Sequence, residues 1–161
     1  IRDRPRGKVL GGSSAINAML YIRGHKLDYD SWAENGCEGW SWDECLPYYK
    51  KSENNELGSD ESHGIDGPLH VSNQKSPRPI TTAFIHAAKE MQHRERVDFN
   101  SGENEGVGFY QVTQFHNKSK NGLRCSAAEA FLFPVAERKN LTIITRAQVE
   151  KINFKNFLSL L

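Results

Sequence analysis

The densest group of residues that could do chemistry lies between residues 7 and 17. Two adjacent glycines, Gly11 and Gly12, allow a ligand to approach the backbone closely because they carry no side chain. Two serines follow and can cap a helix that begins near Ala15. The free N–H groups at such a helix start would stabilise an anionic group such as a phosphate. The alternative is an ordinary glycine-rich turn that only caps the helix.

This glycine-rich stretch does not match the common nucleotide-binding motifs. Lys8 precedes the glycine pair, and no Lys-Ser or Lys-Thr follows it, so the stretch is not a Walker A loop. It is not G-x-G-x-x-G either. A stand-alone nucleotide-binding module that uses Gly11 and Gly12 remains one of the functions that the sequence allows.

Cysteines and histidines predict neither a disulfide framework nor a metal site. Cys37, Cys45 and Cys125 are odd in number and form no C-x-x-C motif, which is typical of reduced thiols in a cytoplasmic protein. Neither His25 nor His116 has a second ligand at helical spacing. We therefore expect no bound metal.

Composition excludes two further classes of protein. The 161 residues include 21 Lys and Arg against 20 Asp and Glu, a net charge of +1, and this balance argues against a nucleic-acid binder. No apolar run approaches the roughly 18 residues that a membrane-spanning helix needs. The length suits one domain with its own core.

The elements that must position the glycine-rich stretch are predicted from periodicity and capping. We expect helices over 28–35, 42–52, 80–94 and 127–137, and strands over 69–72, 109–115, 141–145 and 148–152. Ser41 and Glu44 form a capping box for the second helix, and 54–68 has the composition of a surface loop. The aromatic residues of 32–49 are predicted to be core. The fold class is α/β, with mixed helices and strands.

A series of short stretches occurs along the sequence in a recognisable order. The first is Gly7-Lys8-Val9-Leu10-Gly11-Gly12-Ser13-Ser14-Ala15-Ile16-Asn17, continuing to Asp30. The stretches that follow are Gly39–Trp42, Leu46–Tyr49, Ser52-Glu53, Gly64–Val71, Asp98–Asn100, Gln111–Thr113, Gly122–Ala128 and Asn140–Thr142. In this order they resemble the GMC (glucose–methanol–choline) flavin oxidoreductases, and most closely their bacterial choline-dehydrogenase-like members.

The resemblance implies a partial FAD-binding domain with part of an antiparallel substrate-side sheet. It assigns about 1–53 to a flavin-covering loop with helices, 54–120 to a substrate-side segment, and 121–161 to a return into the flavin domain. The implied cofactor is FAD, and the implied cofactor-binding residues are Val9, Gly12, Ser13, Asn17, Ala18, Met19 and Val149. Some members of the family bind FAD covalently through a histidine before the asparagine. That residue is Ile16 here, so we expect non-covalent FAD.

Two parts of the family pattern have no match in this sequence. The dinucleotide-binding strand with its G-x-G-x-x-G turn is one. The other is the pair of late residues, a His with a second His or Asn, that orient the alcohol and take its proton while a hydride passes to the flavin. We therefore assign no catalytic residue. The histidines outside the missing region are not candidate bases; they are His63, His70, His86, His93 and His116. We expect the chain to be a segment that is inactive on its own.

The function implied is that of a segment of an FAD-dependent oxidoreductase acting on CH–OH groups of a choline-like or other primary alcohol. The alternatives are a truncated, non-catalytic product that does not bind FAD, and the stand-alone nucleotide-binding module. The partners implied are a small alcohol and an electron acceptor, which is oxygen, a quinone or another carrier. We expect the protein in the cytoplasm or peripherally on a membrane.

Overall fold

The computed structural model describes residues 5–152, and residues 1–4 and 153–161, which the expected domain boundaries include, lie outside this range. The helices are α1 (Lys26–Glu34), α2 (Trp42–Ser52) and α3 (Pro79–Glu90). The strands are β1 (Leu20–Tyr21), β2 (Glu53–Asn55), β3 (Leu69–Val71) and β4 (Gln111–Val112). Short turns lie at Gly12–Ala15 (3-10), Ala128–Leu132 (π-helical) and Phe133–Val135 (3-10). The mixed α and β class predicted from the sequence is confirmed.

Two small sheets are joined into one surface by a bridge at Ser72. Strands β1 and β4 pair antiparallel with Tyr21 opposite Gln111, and β2 pairs with β3 in parallel. Ser72, directly after β3, exchanges backbone hydrogen bonds of 2.9 and 2.8 Å with Val112 of β4. The spatial order is therefore β2, β3, β4, β1. Strand β1, near the start of the described chain, thus lies beside β4, which comes about 90 residues later.

Helix boundaries follow the capping residues. Ser41 donates from its backbone N–H and from its hydroxyl to Glu44 Oε2, at 3.1 and 2.6 Å, so the predicted capping box starts α2. Helix α1 begins two residues earlier than predicted, because His25 acts as its cap. Its Nδ1 accepts a hydrogen bond from the Leu27 N–H at 3.2 Å.

The predicted helix from Ala15 is wrong. The chain makes only the four-residue 3-10 turn and then extends into β1. The cause is local: the Asn17 side chain accepts a hydrogen bond from the Met19 N–H at 3.0 Å, and Met19 adopts φ 62°. A side chain that binds its own backbone in this way competes with helix formation.

Four other predicted elements differ in the structure. The loop predicted for 54–68 overlaps β2, whose polar residues give no strand pattern. The predicted helix at 127–137 is divided at Phe133, because Pro134 has no N–H to continue helical bonding. The runs 141–145 and 148–152 are not strands, because a strand requires a hydrogen-bonded neighbour, and within residues 5–152 neither run has one.

The core is small and lies against the strands. Phe115, Cys125 and Ala130 form a buried cluster with Leu69 packed against it. On α3 only Ile85 is buried, and the apolar side chain of Phe84 beside it is exposed in the described part of the chain. None of the helices described is long and apolar enough to cross a membrane.

Candidate functional site

Residues 7–19, here called the glycine loop, are packed by backbone rather than by side chains. A Cβ added at Gly7 would lie 2.1 Å from the Gly12 carbonyl oxygen, and one added at Gly11 would lie 3.2 Å from Ala128 Cβ. Gly11 and Gly12 have φ angles of 88° and 56°. A Cβ at Gly12 would meet nothing within 4 Å. Two of these glycines therefore close the loop, and Gly12 leaves one side open.

The serine hydroxyls of the glycine loop are used inside it. Ser13 Oγ accepts a hydrogen bond from the Gly7 N–H at 3.3 Å. Ser14 Oγ donates to the Gly11 carbonyl at 2.5 Å and accepts from the Ala127 N–H at 2.9 Å. These bonds fix the loop against the segment that precedes the π-helical turn.

The anion site predicted at a helix start is not present in that form. A helix dipole needs aligned peptide units over several turns, and the element at Gly12–Ala15 is one short 3-10 turn. What the glycine loop provides instead is half-buried backbone in left-handed conformation at Gly12, with open space where its Cβ would lie.

The end of the glycine loop, where Met19 adopts a left-handed conformation, is fixed by hydrogen bonds from within the loop and from residues far along the chain. Asn17 Oδ1 accepts from the Met19 N–H, and the Met19 carbonyl accepts from the Thr113 N–H at 2.8 Å. Arg124 Nη1 donates to the Asn17 carbonyl at 2.9 Å. Asn17 and Ala18 are themselves exposed. The structure thus places Gly12, Ser13, Asn17, Ala18 and Met19 on one continuous, anchored loop.

One of the two valines predicted to bind the cofactor lines a cavity, and the other follows its lining in sequence. This cavity has a volume of about 480 Å³ and is lined by residues 7–10 and 144–148. Val9 belongs to its wall, whereas Val149 is the residue after Gln148, the last lining residue of the opposite wall. Their side chains are 57% and 72% exposed, respectively. The cavity brings the start of the glycine loop close to the last described segment of the chain.

The aromatic residues predicted to be core are only partly buried. Trp42 is buried beside Tyr29, with their rings 5.4 Å apart between α1 and α2. Trp32, Trp40 and Tyr48 are exposed and line an open cavity of about 460 Å³. The prediction fails for these three residues because α1 and α2 are short and bury side chains only along the face where they contact each other.

A buried ionic network, which we did not predict from the sequence, lies behind the strands. Arg23 Nη2 is 2.9 Å from Glu53 Oε2, and the two side chains are 1% and 0% exposed. His63 Nδ1 is 3.0 Å from the same oxygen. On the other side of the imidazole, Nε2 is 3.3 Å from Asp98 Oδ2. Two cationic side chains therefore alternate with two carboxylates.

The network sets the protonation state of His63. Burial opposes the charged imidazolium, but hydrogen bonds and negative charge from Asp98 and Glu53 outweigh it and raise the pKa of His63 to about 9. Burial also opposes the charged form of Glu53 and would raise its pKa. The hydrogen bond to His63 and the positive charge of Arg23 outweigh burial, so the pKa of Glu53 lies below its ordinary value. His63 is thus protonated at neutral pH and has no lone pair with which to accept a proton.

Amide side chains connect this network to β1 and β4. Asn55 and Gln111 exchange a pair of hydrogen bonds, at 3.2 and 3.0 Å, across the two sheets. Asn100 Oδ1 accepts from the Arg23 N–H at 2.8 Å. The residues of this network come from separate stretches of the sequence, and each lies in or next to a stretch that resembles the family. Their common position in these stretches is the one sequence signal that could have indicated their contact.

Within residues 5–152 the structure has no group of three or more side chains placed to hold a metal. Cys37, Cys45 and Cys125 are all free thiols, and only Cys125 is buried. The described residues therefore offer a shaped, anchored loop for a ligand.

Comparison with known proteins gives consistent results. The family model described as GMC oxidoreductase matches residues 3–157. The alcohol dehydrogenase [acceptor] of Pseudomonas putida is 47% identical over 153 residues, which are 94% of this chain and 27% of that protein. The mitochondrial choline dehydrogenase of Mus musculus is 42% identical over 151 residues, 94% of this chain and 24% of that protein.

A solved structure agrees in fold as well as in sequence. An FAD-dependent oxidoreductase from Chaetomium thermophilum superposes with a TM-score of 0.81 and 31% identity, covering 93% of this chain and 27% of that chain. This chain therefore spans about a quarter of the length of the proteins that it matches.

Proposed function

This chain belongs to the GMC oxidoreductase family, and from that membership we propose that it forms the flavin-contacting segment of an FAD-dependent oxidoreductase acting on CH–OH groups. The substrate we propose is a choline-like or other primary alcohol. Support for the substrate class comes from relatives named as alcohol and choline dehydrogenases, at 47% and 42% identity.

The observation that carries this proposal is the shape of the glycine loop. A dinucleotide needs a stretch of backbone that it can approach without meeting side chains. Gly12 supplies it, since the position that its Cβ would occupy is open, while Gly7 and Gly11 keep the loop folded beneath. The residues present therefore fit FAD, and Val9, Gly12, Ser13, Asn17, Ala18, Met19 and Val149 would hold it.

When bound, FAD supplies a hydride acceptor for the oxidation of an alcohol carbon. The chain's own contribution is to bind and orient. The exposed apolar residues of the glycine loop, among them Val9, Leu10 and Ile16, offer surface that excludes water from an aromatic ring system. We propose non-covalent attachment, because the alkyl side chain of Ile16 has no atom that could bond to the flavin.

We propose that the reaction's proton acceptor lies outside residues 5–152. His63 is held protonated between the carboxylates of Glu53 and Asp98, so it has no lone pair for a substrate proton. The final electron acceptor is oxygen, a quinone or another carrier. Because all three cysteines are free thiols, we propose a reducing compartment such as the cytoplasm, or a membrane surface facing it.

The test is a segment exchange. The matched 153-residue stretch of the Pseudomonas putida alcohol dehydrogenase is replaced by this chain's residues, and the hybrid is purified and examined for flavin absorbance and alcohol oxidation. We expect stoichiometric FAD that is released on denaturation, and turnover of an alcohol. A folded hybrid without flavin would contradict the proposal.

The isolated chain provides the second measurement. We expect it to be colourless and inactive, with FAD binding requiring the remainder of the hybrid. Tight, stoichiometric FAD on the isolated chain would instead support the stand-alone nucleotide-binding module. A colourless hybrid would support the truncated, non-catalytic alternative.

A further inference from the structure

Arg124 is tied to the glycine loop through a single nitrogen. Its Nη1 donates to the Ser14 carbonyl at 3.1 Å, to the Asn17 carbonyl at 2.9 Å and to Asn17 Oδ1 at 2.7 Å. Hydrogen bonds from a charged donor are stronger than neutral ones. Arg124 lies more than 100 residues further along the sequence, so no local feature of the loop provides this connection.

The contact with Asn17 extends to Met19. Asn17 Oδ1 accepts from Arg124 and from the Met19 N–H, so one oxygen joins the guanidinium to the residue with φ 62°. A non-glycine residue in the left-handed region is destabilised by about 1 kcal/mol or more, and it persists where its surroundings fix it. Arg124 and Thr113 are those surroundings.

The charge on Arg124 is not neutralised by a carboxylate. Among residues 5–152, no Asp or Glu oxygen lies within 4 Å of its guanidinium, whereas Arg23 has Glu53. Its partners are carbonyl oxygens of the loop. Because no described carboxylate neutralises it, the positive charge of Arg124 favours the binding of an anionic ligand beside the loop.

We propose that Arg124 is a positioning residue for FAD. It holds Ser14, Asn17 and, through Asn17, Met19 in the conformation that receives the cofactor, so that the glycine loop does not have to rearrange on binding. A loop that is already ordered loses less conformational entropy when its ligand binds, which strengthens binding. This inference rests on the proposed function and adds to it a residue that the resemblance does not assign.

The first experiment uses the 161-residue chain without cofactor. Amide hydrogen exchange is followed by mass spectrometry in the wild type, in Arg124→Met and in Arg138→Met. Arg138 is exposed and its side chain makes no hydrogen bond in the described part of the chain, so it serves as the matched control. We expect faster exchange over residues 14–19 in Arg124→Met only. Unchanged exchange there would overturn the inference.

The second experiment uses the hybrid described above, with Arg124→Met, Arg124→Lys and Arg138→Met. We expect Arg124→Met to weaken FAD binding on the order of 10-fold or more, with an altered visible circular dichroism spectrum of the bound flavin. Arg124→Lys should recover part of the affinity. The three acceptors are all bound by one nitrogen of Arg124, and the lysine ammonium, on a slightly shorter side chain, can reach close to the position of that nitrogen. Arg138→Met should bind FAD as the wild type does.

The possible failures are distinguishable. A wild-type hybrid without FAD overturns the proposed function and this inference together. A wild-type hybrid with FAD whose Arg124→Met variant binds FAD equally well overturns this inference alone. The same holds if Arg124→Met and Arg124→Lys lose affinity only in proportion to a lowered unfolding temperature of the apoprotein, because that result describes a structural role.

Discussion

Arg23 and Glu53 form an ion pair of 2.9 Å that is almost completely removed from solvent. The pair joins the segment after β1 to the first residue of β2, so it fixes the sheet that supports the glycine loop to the end of α2. Desolvation of two such charges is costly, and the pair is tolerable because hydrogen bonds satisfy both partners. Arg23 Nη1 donates to the carbonyls of Ser62 and Asn100, at 2.7 and 3.0 Å.

We expect Glu53→Gln to lower the free energy of unfolding by about 3–5 kcal/mol, because it leaves the Arg23 charge buried without a counterion. The measurement is urea denaturation of the 161-residue chain. Glu129→Gln is the matched control, since Glu129 pairs at 2.6 Å with Lys120 on the surface. That substitution should cost about 0–1 kcal/mol. Equal decreases in the free energy of unfolding for the two variants would contradict the prediction that burial makes the loss of the Glu53 charge more costly.

The raised pKa of His63 predicts how stability depends on pH. In the folded chain this pKa is about 9, against an ordinary value of 6.5, so the folded state binds the proton more tightly. The resulting stabilisation is fully present below pH 6.5 and is lost as the pH rises through 9. We expect the urea midpoint to fall across this interval.

His63→Gln should remove this pH dependence, because glutamine does not titrate. Denaturation of wild type and variant in buffers between pH 6.5 and 9, with a thiol reductant present, gives the comparison. A decline of equal slope in both proteins would show that another group is responsible.

The Tyr29 hydroxyl lies at the centre of the aromatic contact between α1 and α2. It accepts from the Gly24 N–H at 3.1 Å and is 2.8 Å from the Tyr49 hydroxyl. We expect Tyr29→Phe to destabilise the chain by about 1–2 kcal/mol, because it leaves the half-buried Gly24 N–H and Tyr49 hydroxyl without this hydrogen-bond partner. Tyr48→Phe on the exposed face of α2 should change stability by less than about 0.5 kcal/mol. Thermal unfolding monitored by tryptophan fluorescence distinguishes them.

Gly7 and Gly12 should respond differently to a side chain. Gly7→Ala places a carbon 2.1 Å from the Gly12 carbonyl oxygen, and we expect destabilisation of about 1–3 kcal/mol or more. Gly12→Asn meets open space, and asparagine tolerates the left-handed region, so the fold should be retained. In the hybrid, however, this side chain would enter the space that we assign to FAD.

Flavin retention in the hybrid is the measurement for the Gly12 variant, and the unfolding temperature is the measurement for Gly7→Ala. If Gly12→Asn binds FAD as tightly as the wild type, Gly12 does not contact the cofactor.

Elements defined by neighbouring residues could be predicted from the sequence. Ser41 and Glu44 are three residues apart, so their capping box determines the start of α2 without help from the rest of the chain. Gly36, at φ 94°, ends the α1 region for an equally local reason. The glycine loop is recognisable in the sequence by its residue types, and in the structure the position of a Cβ at Gly12 is open.

Features defined by distant residues could not be predicted in this way. Arg23 and Glu53 are 30 residues apart, and Asn55 and Gln111 are 56 apart. Their pairing depends on how the strands meet, which no periodicity expresses. The helix predicted from Ala15 failed because capping residues and apolar content favoured it, whereas the Asn17 side chain and the φ of Met19 ended it.

The hydrogen bond between Arg124 and Ser14 spans 110 residues, and this separation has a consequence for protein synthesis. When the glycine loop leaves the ribosome, the guanidinium that anchors it has not yet been translated. At about 5–20 residues per second, the loop waits for several seconds or longer. During that interval its apolar residues are exposed to other nascent chains and to chaperones. The glycine loop can therefore reach its anchored conformation only after Arg124 has been translated, so this part of the structure is completed late.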